Sequence, residues 1–92
     1  MSTSDRFAGK VAVITGGTTG IGRAIARRFV SDGGKIVIGA RHDTLFEEIT
    51  QELGADNCWC QVCDVTNRAQ VDALVQAAYD KFNGFDVMFG NA

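Results

Sequence analysis

The sequence predicts an α/β fold built on a doubly wound parallel sheet, and two observations support this prediction. First, four short apolar runs alternate with three segments of helical periodicity, in the order β-α-β-α-β-α-β. Strands that alternate with helices form parallel sheets through right-handed crossovers. Second, the runs near residues 11, 36 and 87 are apolar without alternation, as in strands covered on both faces. Ninety-two residues suffice for one such domain.

The bounds of the elements follow from the same pattern. The predicted strands cover residues 11–14, 36–38, about 59–65 and 87–89, and the predicted helices cover about 20–32, 44–53 and 67–83. The first helix carries an apolar face formed by Ile21, Ala24, Ile25, Phe29 and Val30.

Glycines and one polar motif mark the predicted helix ends. The first helix should end at Gly33 and Gly34, which accept a left-handed turn. The segment from Thr44 to Glu47 fits a capping box and predicts the start of the second helix. Gly84 is the expected terminator of the third helix.

Composition excludes several classes of function. The net charge is -2, the pI is near 5.1 and the nine basic residues are scattered, so we expect no nucleic-acid partner. No run approaches the roughly 20 apolar residues of a membrane span, and residues 1–7 lack a signal-peptide core. We therefore expect no membrane partner and a cytoplasmic location.

Three cysteines lie together as C-x-C-x-x-C at positions 58, 60 and 63. A structural zinc site usually has four ligands in two pairs, whereas here no second pair follows and His42 belongs to another segment. We therefore expect no metal, and interpret the cysteines as small residues on or beside a buried strand. His42 is expected to lie in a solvated loop.

A glycine-rich loop follows the first predicted strand and leads directly into a helix. It reads T-G-G-T-T-G-I-G from Thr15 to Gly22. Such a loop offers converging backbone N–H groups and the positive end of a helix dipole, which together bind phosphate groups. Gly16 permits the tight turn, Gly20 allows the pyrophosphate to approach and Gly22 allows the helix to pack on the sheet.

A nucleoside-triphosphate loop is the first alternative for this segment. Gly17 to Gly22 matches G-x-x-x-x-G, but Arg23 and Ala24 follow where such loops need Lys and then Ser or Thr. The triphosphate alternative is therefore rejected. An ordinary strand-to-helix turn is the second alternative, but four glycines in seven positions exceed what it requires.

The loop resembles the T-G-x-x-x-G-I-G motif of short-chain dehydrogenases/reductases. Two more segments are similar to that family in the expected order: C-D-V-T at 63–66 and G-N-A at 90–92, the latter resembling most of N-N-A-G. Gly90 departs from the family, which usually has Asn there. The resemblance implies a Rossmann-type sheet of strand order 3-2-1-4, with the fourth strand at an edge.

The resemblance also implies which residues bind a dinucleotide coenzyme. In the family, the Asp that corresponds to Asp64 contacts the adenine. The expected coenzyme-binding residues are Gly16, Thr18, Thr19, Gly20, Ile21, Gly22, Arg41, Asp64, Val65, Asn91 and Ala92.

The end of the second strand indicates which coenzyme is preferred. NAD-binding members of the family place Asp where this chain has Ala40, which cannot accept a hydrogen bond from ribose. Arg41 beside it is a permanent cation that suits a 2′-phosphate. We therefore expect NADP, with NAD as the alternative. Asp43 could reach the ribose, but its place before a helix favours a structural interpretation.

The resemblance further implies hydride transfer between the nicotinamide and a carbonyl or alcohol substrate. The family uses a Tyr-x-x-x-Lys pair and a Ser that follow the N-N-A-G segment. Tyr79 is the only tyrosine and lacks a Lys four residues later, so no catalytic residue is predicted.

We therefore interpret residues 1–92 as the N-terminal dinucleotide-binding part of a single domain, truncated before the catalytic segment, of an enzyme expected to be a homo-oligomer. The alternative is a short stand-alone module that binds nucleotide or a partner without catalysis.

Overall fold

The computed structural model describes residues 6–90 and contains four strands and three helices in strict alternation. The elements are β1 (Val11–Thr15), α1 (Gly20–Ser31), β2 (Lys35–Ala40), α2 (Phe46–Leu53), β3 (Cys58–Val62), α3 (Arg68–Phe82) and β4 (Val87–Gly90). All strand pairs are parallel and the order is β3-β2-β1-β4. The predicted Rossmann-type sheet and its strand order are confirmed.

Helices cover both faces of this sheet, because side chains along a strand alternate between its faces. On one face, α1 and α2 pack against Ala12, Ile14, Ile36 and Ile38. On the other face, α3 packs through its buried residues against Val11, Val13 and Val37. The two central strands, β1 and β2, are consequently buried along most of their length.

The apolar face predicted for α1 is partly wrong. Ile21 is 73% exposed and Ala24 is also exposed, whereas Gly22, Ala26 and Phe29 face the sheet. The helix is therefore rotated relative to the predicted stripe, because its glycine and alanine allow close approach to the strands. Ile21 and Ala24 instead line an open apolar groove that also includes Phe7, Ile25, Phe29 and Phe89.

Two predicted helix ends are also corrected. The capping box at Thr44 does not form: α2 begins at Phe46, and its N-cap residue Leu45 makes no side-chain hydrogen bond. Helix α3 ends at Phe82, and the residue that terminates it is Asn83 rather than Gly84, because Asn83 itself adopts the left-handed conformation with φ 66°. By contrast, Gly33 has φ 96° and closes α1 as predicted.

Strand β3 ends at Val62, three residues earlier than predicted, so Asp64 and Val65 belong to the loop before α3. Within residues 6–90, β4 pairs only with β1 and lies at one edge of the sheet, as expected. Over the same residues, no helix has the length and apolar character needed to cross a membrane.

Candidate coenzyme-binding site

The glycine-rich loop connects the carboxyl end of β1 to the first turn of α1. Gly16 has φ 75° and Gly20 has φ 58°, a region in which residues with a Cβ are strained. The amide of Gly16 donates to the carbonyl of Gly39 at 2.7 Å, which ties the start of the loop to β2. The chain therefore turns sharply twice and then enters α1, whose first turn lies at the carboxyl ends of the strands.

The first turn of α1 presents backbone N–H groups at this loop. The first amides of any helix lack intrahelical acceptors, and Thr19, the N-cap residue, makes no side-chain capping hydrogen bond here. The space where a Cβ of Gly20 would lie is open: apart from its neighbours along the chain, no heavy atom of residues 6–90 lies within 4 Å. Amides, helix dipole and open space are together the features that suit a phosphate group.

Two glycines that sequence reasoning did not single out shape the site. A Cβ on Gly17 would lie 2.7 Å from Cγ2 of Ile14, so the loop can fold over β1 only with glycine there. A Cβ on Gly39 would lie 2.6 Å from Cδ2 of Leu74, so glycine lets α3 pack on β2. Sequence patterns indicate the role of these two glycines only weakly, because neither adopts a positive φ.

The ends of three neighbouring segments line a small cavity beside the loop. Its volume is about 160 Å³, and it is lined by Gly16, Gly39, Ala40, Arg41, Cys63 and Val65. The structure therefore brings together three residues predicted to bind coenzyme, Gly16, Arg41 and Val65. They meet because the carboxyl ends of parallel strands lie at one edge of the sheet, where doubly wound folds bind their ligands.

Asp64 is held rigidly next to this cavity. One carboxylate oxygen accepts from the Thr66 amide at 2.9 Å and from its hydroxyl at 2.7 Å. These bonds, first the one from the amide, lower the pKa of Asp64, and the positive charge of Arg41 lowers it further. The Asp64 amide donates to Oε1 of Gln70 at 2.7 Å, a contact that sequence reasoning missed.

The remaining predicted residues fall into three groups. Thr18 and Gly22 are buried, whereas Thr19 and Ile21 are exposed at the loop. Asn91 and Ala92 lie outside the described residues. His42 is exposed, as expected for a solvated loop, and the carbonyl of Asp43 accepts from the Phe46 amide at the start of α2.

The three cysteines are free thiols. Cys58 and Cys60 lie on β3, and Cys63 lies in the loop that follows it, as the interpretation of small residues on or beside a strand required. Among residues 6–90, no group of three or more histidines, cysteines or acidic residues is placed to hold a metal ion.

The sheet order and the loop define a chain of Rossmann-type fold. A family model described as short chain dehydrogenase matches residues 10–92, nearly the whole sequence. The chain therefore belongs to the short-chain dehydrogenase family. It is 46% identical over 87 residues to momilactone A synthase of Oryza sativa subsp. japonica, a match that covers 95% of this chain and 32% of that protein. The chain thus spans about a third of the length of the relatives it matches.

Solved structures agree with this assignment. A 3-ketoacyl-(acyl-carrier-protein) reductase from Brucella melitensis, complexed with NADH, superposes with a TM-score of 0.83 at 39% identity, covering 89% of this chain and 33% of that one. The glucose dehydrogenase of Caenorhabditis elegans in its apo form gives a TM-score of 0.87 at 40% identity, covering 95% and 39%.

Proposed function

We propose that this chain is the dinucleotide-binding part of an NAD(P)-dependent oxidoreductase that transfers a hydride between a nicotinamide coenzyme and a small carbonyl or alcohol substrate. The observation that carries the proposal is the loop itself: two glycines with positive φ place the uncapped first turn of α1 at the strand ends. Membership of the family supports the reaction class, and one solved neighbour is complexed with NADH.

In this proposal, each part of the site holds a different part of the coenzyme. The loop at Gly16 and Gly20, together with Thr18, Thr19, Ile21 and Gly22, receives the pyrophosphate. Asp64 and Val65 receive the adenine, and Asn91 and Ala92, which are outside the described residues, are further coenzyme-binding residues of this proposal. The bound coenzyme supplies the hydride acceptor or donor, while these residues bind and orient it.

We assign NADP rather than NAD as the preferred coenzyme, because of the residues at the end of β2. Ala40 offers no carboxylate to the ribose hydroxyls, while Arg41 lines the cavity beside the loop. A guanidinium binds a phosphate through charge-assisted hydrogen bonds, which NAD, lacking the 2′-phosphate, does not provide.

A coenzyme titration by calorimetry tests both levels of the proposal. We expect the longest available form of the protein to bind NADP more tightly than NAD, and Arg41→Ala to weaken NADP by about tenfold or more while NAD changes little. Lys81→Ala is the matched control, because it also removes one positive charge, but from the last turn of α3. That turn is at the other end of the helix from the candidate site. Equal affinity for the two coenzymes, unaffected by Arg41→Ala, would remove the NADP assignment, and binding of neither would remove the proposed function.

The organisation of the whole protein is part of the same proposal. Residues 1–92 form the first part of one domain, and the residues that protonate and orient the substrate belong to sequence beyond this chain. We further propose that the enzyme is a cytoplasmic homo-oligomer. The alternative of a non-catalytic module gains no support from the relatives, which include momilactone A synthase.

A further inference from the structure

Two thiols lie side by side on β3, the strand at the opposite edge of the sheet from β4. Cys58 and Cys60 are two positions apart on β3, so both side chains point to the face covered by α2. Their sulfur atoms are 3.7 Å apart. The hydroxyl of Thr50 on α2 lies 3.7 Å from the sulfur of Cys60 and fixes the position of that thiol.

The pair can be reached from solvent. A cavity of about 370 Å³ between α2 and β3 is lined by both cysteines together with Phe46, Glu47, Thr50 and Trp59, among others. Cys58 is buried in the wall and Cys60 is half-buried. The third cysteine, Cys63, is only 1% exposed and packs on the opposite face of the sheet. The chain thus contains two adjacent thiols at the wall of this cavity, of which Cys60 is the more exposed. The third thiol, Cys63, lies on the opposite face of the sheet and lines the smaller cavity beside the glycine-rich loop.

We propose that Cys58 and Cys60 form a bidentate dithiol site that binds trivalent arsenic in an organic arsenical. The reaction is a condensation: the As=O group of an arsine oxide is replaced by two As–S bonds. The two thiol protons and the oxygen leave as one water molecule. Arsenic stays trivalent and neither sulfur is oxidised, so no oxidant or reductant is consumed.

The sulfur-to-sulfur distance suits a bridging atom. An atom bonded to both sulfurs at about 2.3 Å, the length of a zinc–thiolate bond, would subtend an angle of roughly 107° at the observed 3.7 Å separation. Three-coordinate arsenic is pyramidal, and its bond angles lie somewhat below the tetrahedral value, so small side-chain rotations suffice for one arsenic atom to bridge the two sulfurs.

A direct disulfide is less favourable at this position. The rise of a strand places residues two apart at a Cα separation of about 6.6 Å, near the upper limit of roughly 6.8 Å for disulfides. The sulfurs would also have to approach from 3.7 Å to about 2.05 Å. Forming the bond would bend β3 away from β2, whereas the bridged product leaves the ladder intact.

The electrostatics of the pair support nucleophilic attack by Cys60. The two thiols are in hydrogen-bond contact, and the contact with Cys58 lowers the pKa of Cys60. The same bond, together with burial, raises the pKa of Cys58. Cys60, the more accessible thiol, therefore reacts first, and Cys58 closes the ring from the wall of the cavity.

Phenylarsine oxide is the probe that tests the site. The longest available form of the protein is incubated in its native state with one equivalent, cysteines left free are alkylated, and the modified positions are mapped by mass spectrometry. We expect one phenylarsenic adduct per chain that protects Cys58 and Cys60 from alkylation after unfolding. We also expect it to resist excess glutathione, a monothiol.

Single substitutions separate the pair from the third thiol. Cys58→Ser and Cys60→Ser should each weaken retention of the adduct by about 100-fold or more, because a chelate becomes a single bond. Cys63→Ser should retain it fully. Circular dichroism verifies that each variant is folded. If a variant does not fold, the proposal is tested by which cysteines of the unsubstituted chain are protected from alkylation. Protection of Cys63, or full retention in either Cys58→Ser or Cys60→Ser, would overturn the proposal.

Discussion

Asp86 and Val11 exchange two hydrogen bonds across 75 residues of sequence. The Val11 amide donates to a carboxylate oxygen of Asp86 at 2.8 Å, and the Asp86 amide donates to the Val11 carbonyl at 2.8 Å. Val11 is the first residue of β1, and Asp86 immediately precedes β4. The exchange therefore fixes the register at which the edge strand joins the centre of the sheet.

Removing the Asp86 carboxylate should loosen this junction. We expect Asp86→Ala to lower the free energy of unfolding by about 1.5 kcal/mol, since the Val11 amide loses a charged acceptor. Asp86→Asn, which keeps an acceptor oxygen, should cost less. Urea denaturation followed by circular dichroism measures both. Asp80→Ala is the control: Asp80 accepts from Gln76 on the surface of α3, and its replacement should change stability by less than about 0.5 kcal/mol.

Gly39→Ala should destabilise the contact between α3 and the sheet. The added methyl group would lie 2.6 Å from Leu74 and 3.1 Å from Cβ of Cys63, so buried atoms must shift at a cost of about 1–3 kcal/mol. Thermal denaturation measures the loss. Gly90→Ala on β4 is the matched control, because, apart from its neighbours along the chain, no heavy atom of the described residues lies within 4 Å of its added methyl. Equal melting temperatures for the two variants would contradict the packing described at Gly39.

Acid should weaken the loop that contains Asp64. Hydrogen bonds from Thr66 lower the folded-state pKa of Asp64 below its unfolded value of about 3.9. The resulting stabilisation is fully present above the unfolded pKa and is lost as the pH falls through the lower folded pKa.

Urea titrations from about pH 6 to pH 2 measure this effect against Asp64→Asn, which keeps an acceptor for Thr66 but cannot ionise. The unsubstituted chain should have a higher free energy of unfolding than Asp64→Asn at about pH 6, and this difference should disappear as the pH falls toward about 2. Glu52, whose pKa is lowered first by Arg27 and then by Arg23, is common to both proteins and cancels in the difference. Parallel curves for the two proteins would contradict the assignment.

The 92-residue chain prepared alone should self-associate. Strand β4 is an edge with apolar side chains, and Met88 on it is 41% exposed. Met88→Lys should reduce association, because a charge on an edge strand opposes pairing with another chain. Tyr79→Lys, at an exposed position on α3, should leave association unchanged. Sedimentation velocity gives the size distribution, and a monodisperse monomer of the unsubstituted chain would contradict the prediction.

The sequence predicted the features that depend on periodicity and on local motifs. The alternation of strands and helices and the glycine loop were both readable, because apolar runs and glycine spacing reflect burial and turn geometry directly. The strand order was implied by the family resemblance. The orientation of α1 was not, since Ile21 fits the helical stripe as well as Ala26 does. Only the observed burial of Gly22, Ala26 and Phe29 shows which face of the helix is turned to the sheet.

Contacts between distant side chains left no local signal. Gln70 accepts a hydrogen bond from the Asp64 amide, six residues earlier in the chain. No motif in the neighbouring sequence indicates this contact. Asn83 replaced the expected Gly84 as helix terminator because asparagine also tolerates the left-handed region. The capping box predicted at Thr44 competes with another local structure. In the structure, a backbone turn forms instead, in which the Phe46 amide donates to the Asp43 carbonyl.

The order β3-β2-β1-β4 has a consequence for how the chain assembles during synthesis. The loop at residues 16–19 is flanked by β1 and α1 and is tied to β2, so all its supports emerge within the first forty residues. Strand β4 pairs with β1 only after the chain has passed through two further helices and β3. Because distant pairings form slowly, we expect the glycine-rich loop to form early, and the Val11–Asp86 junction to form last.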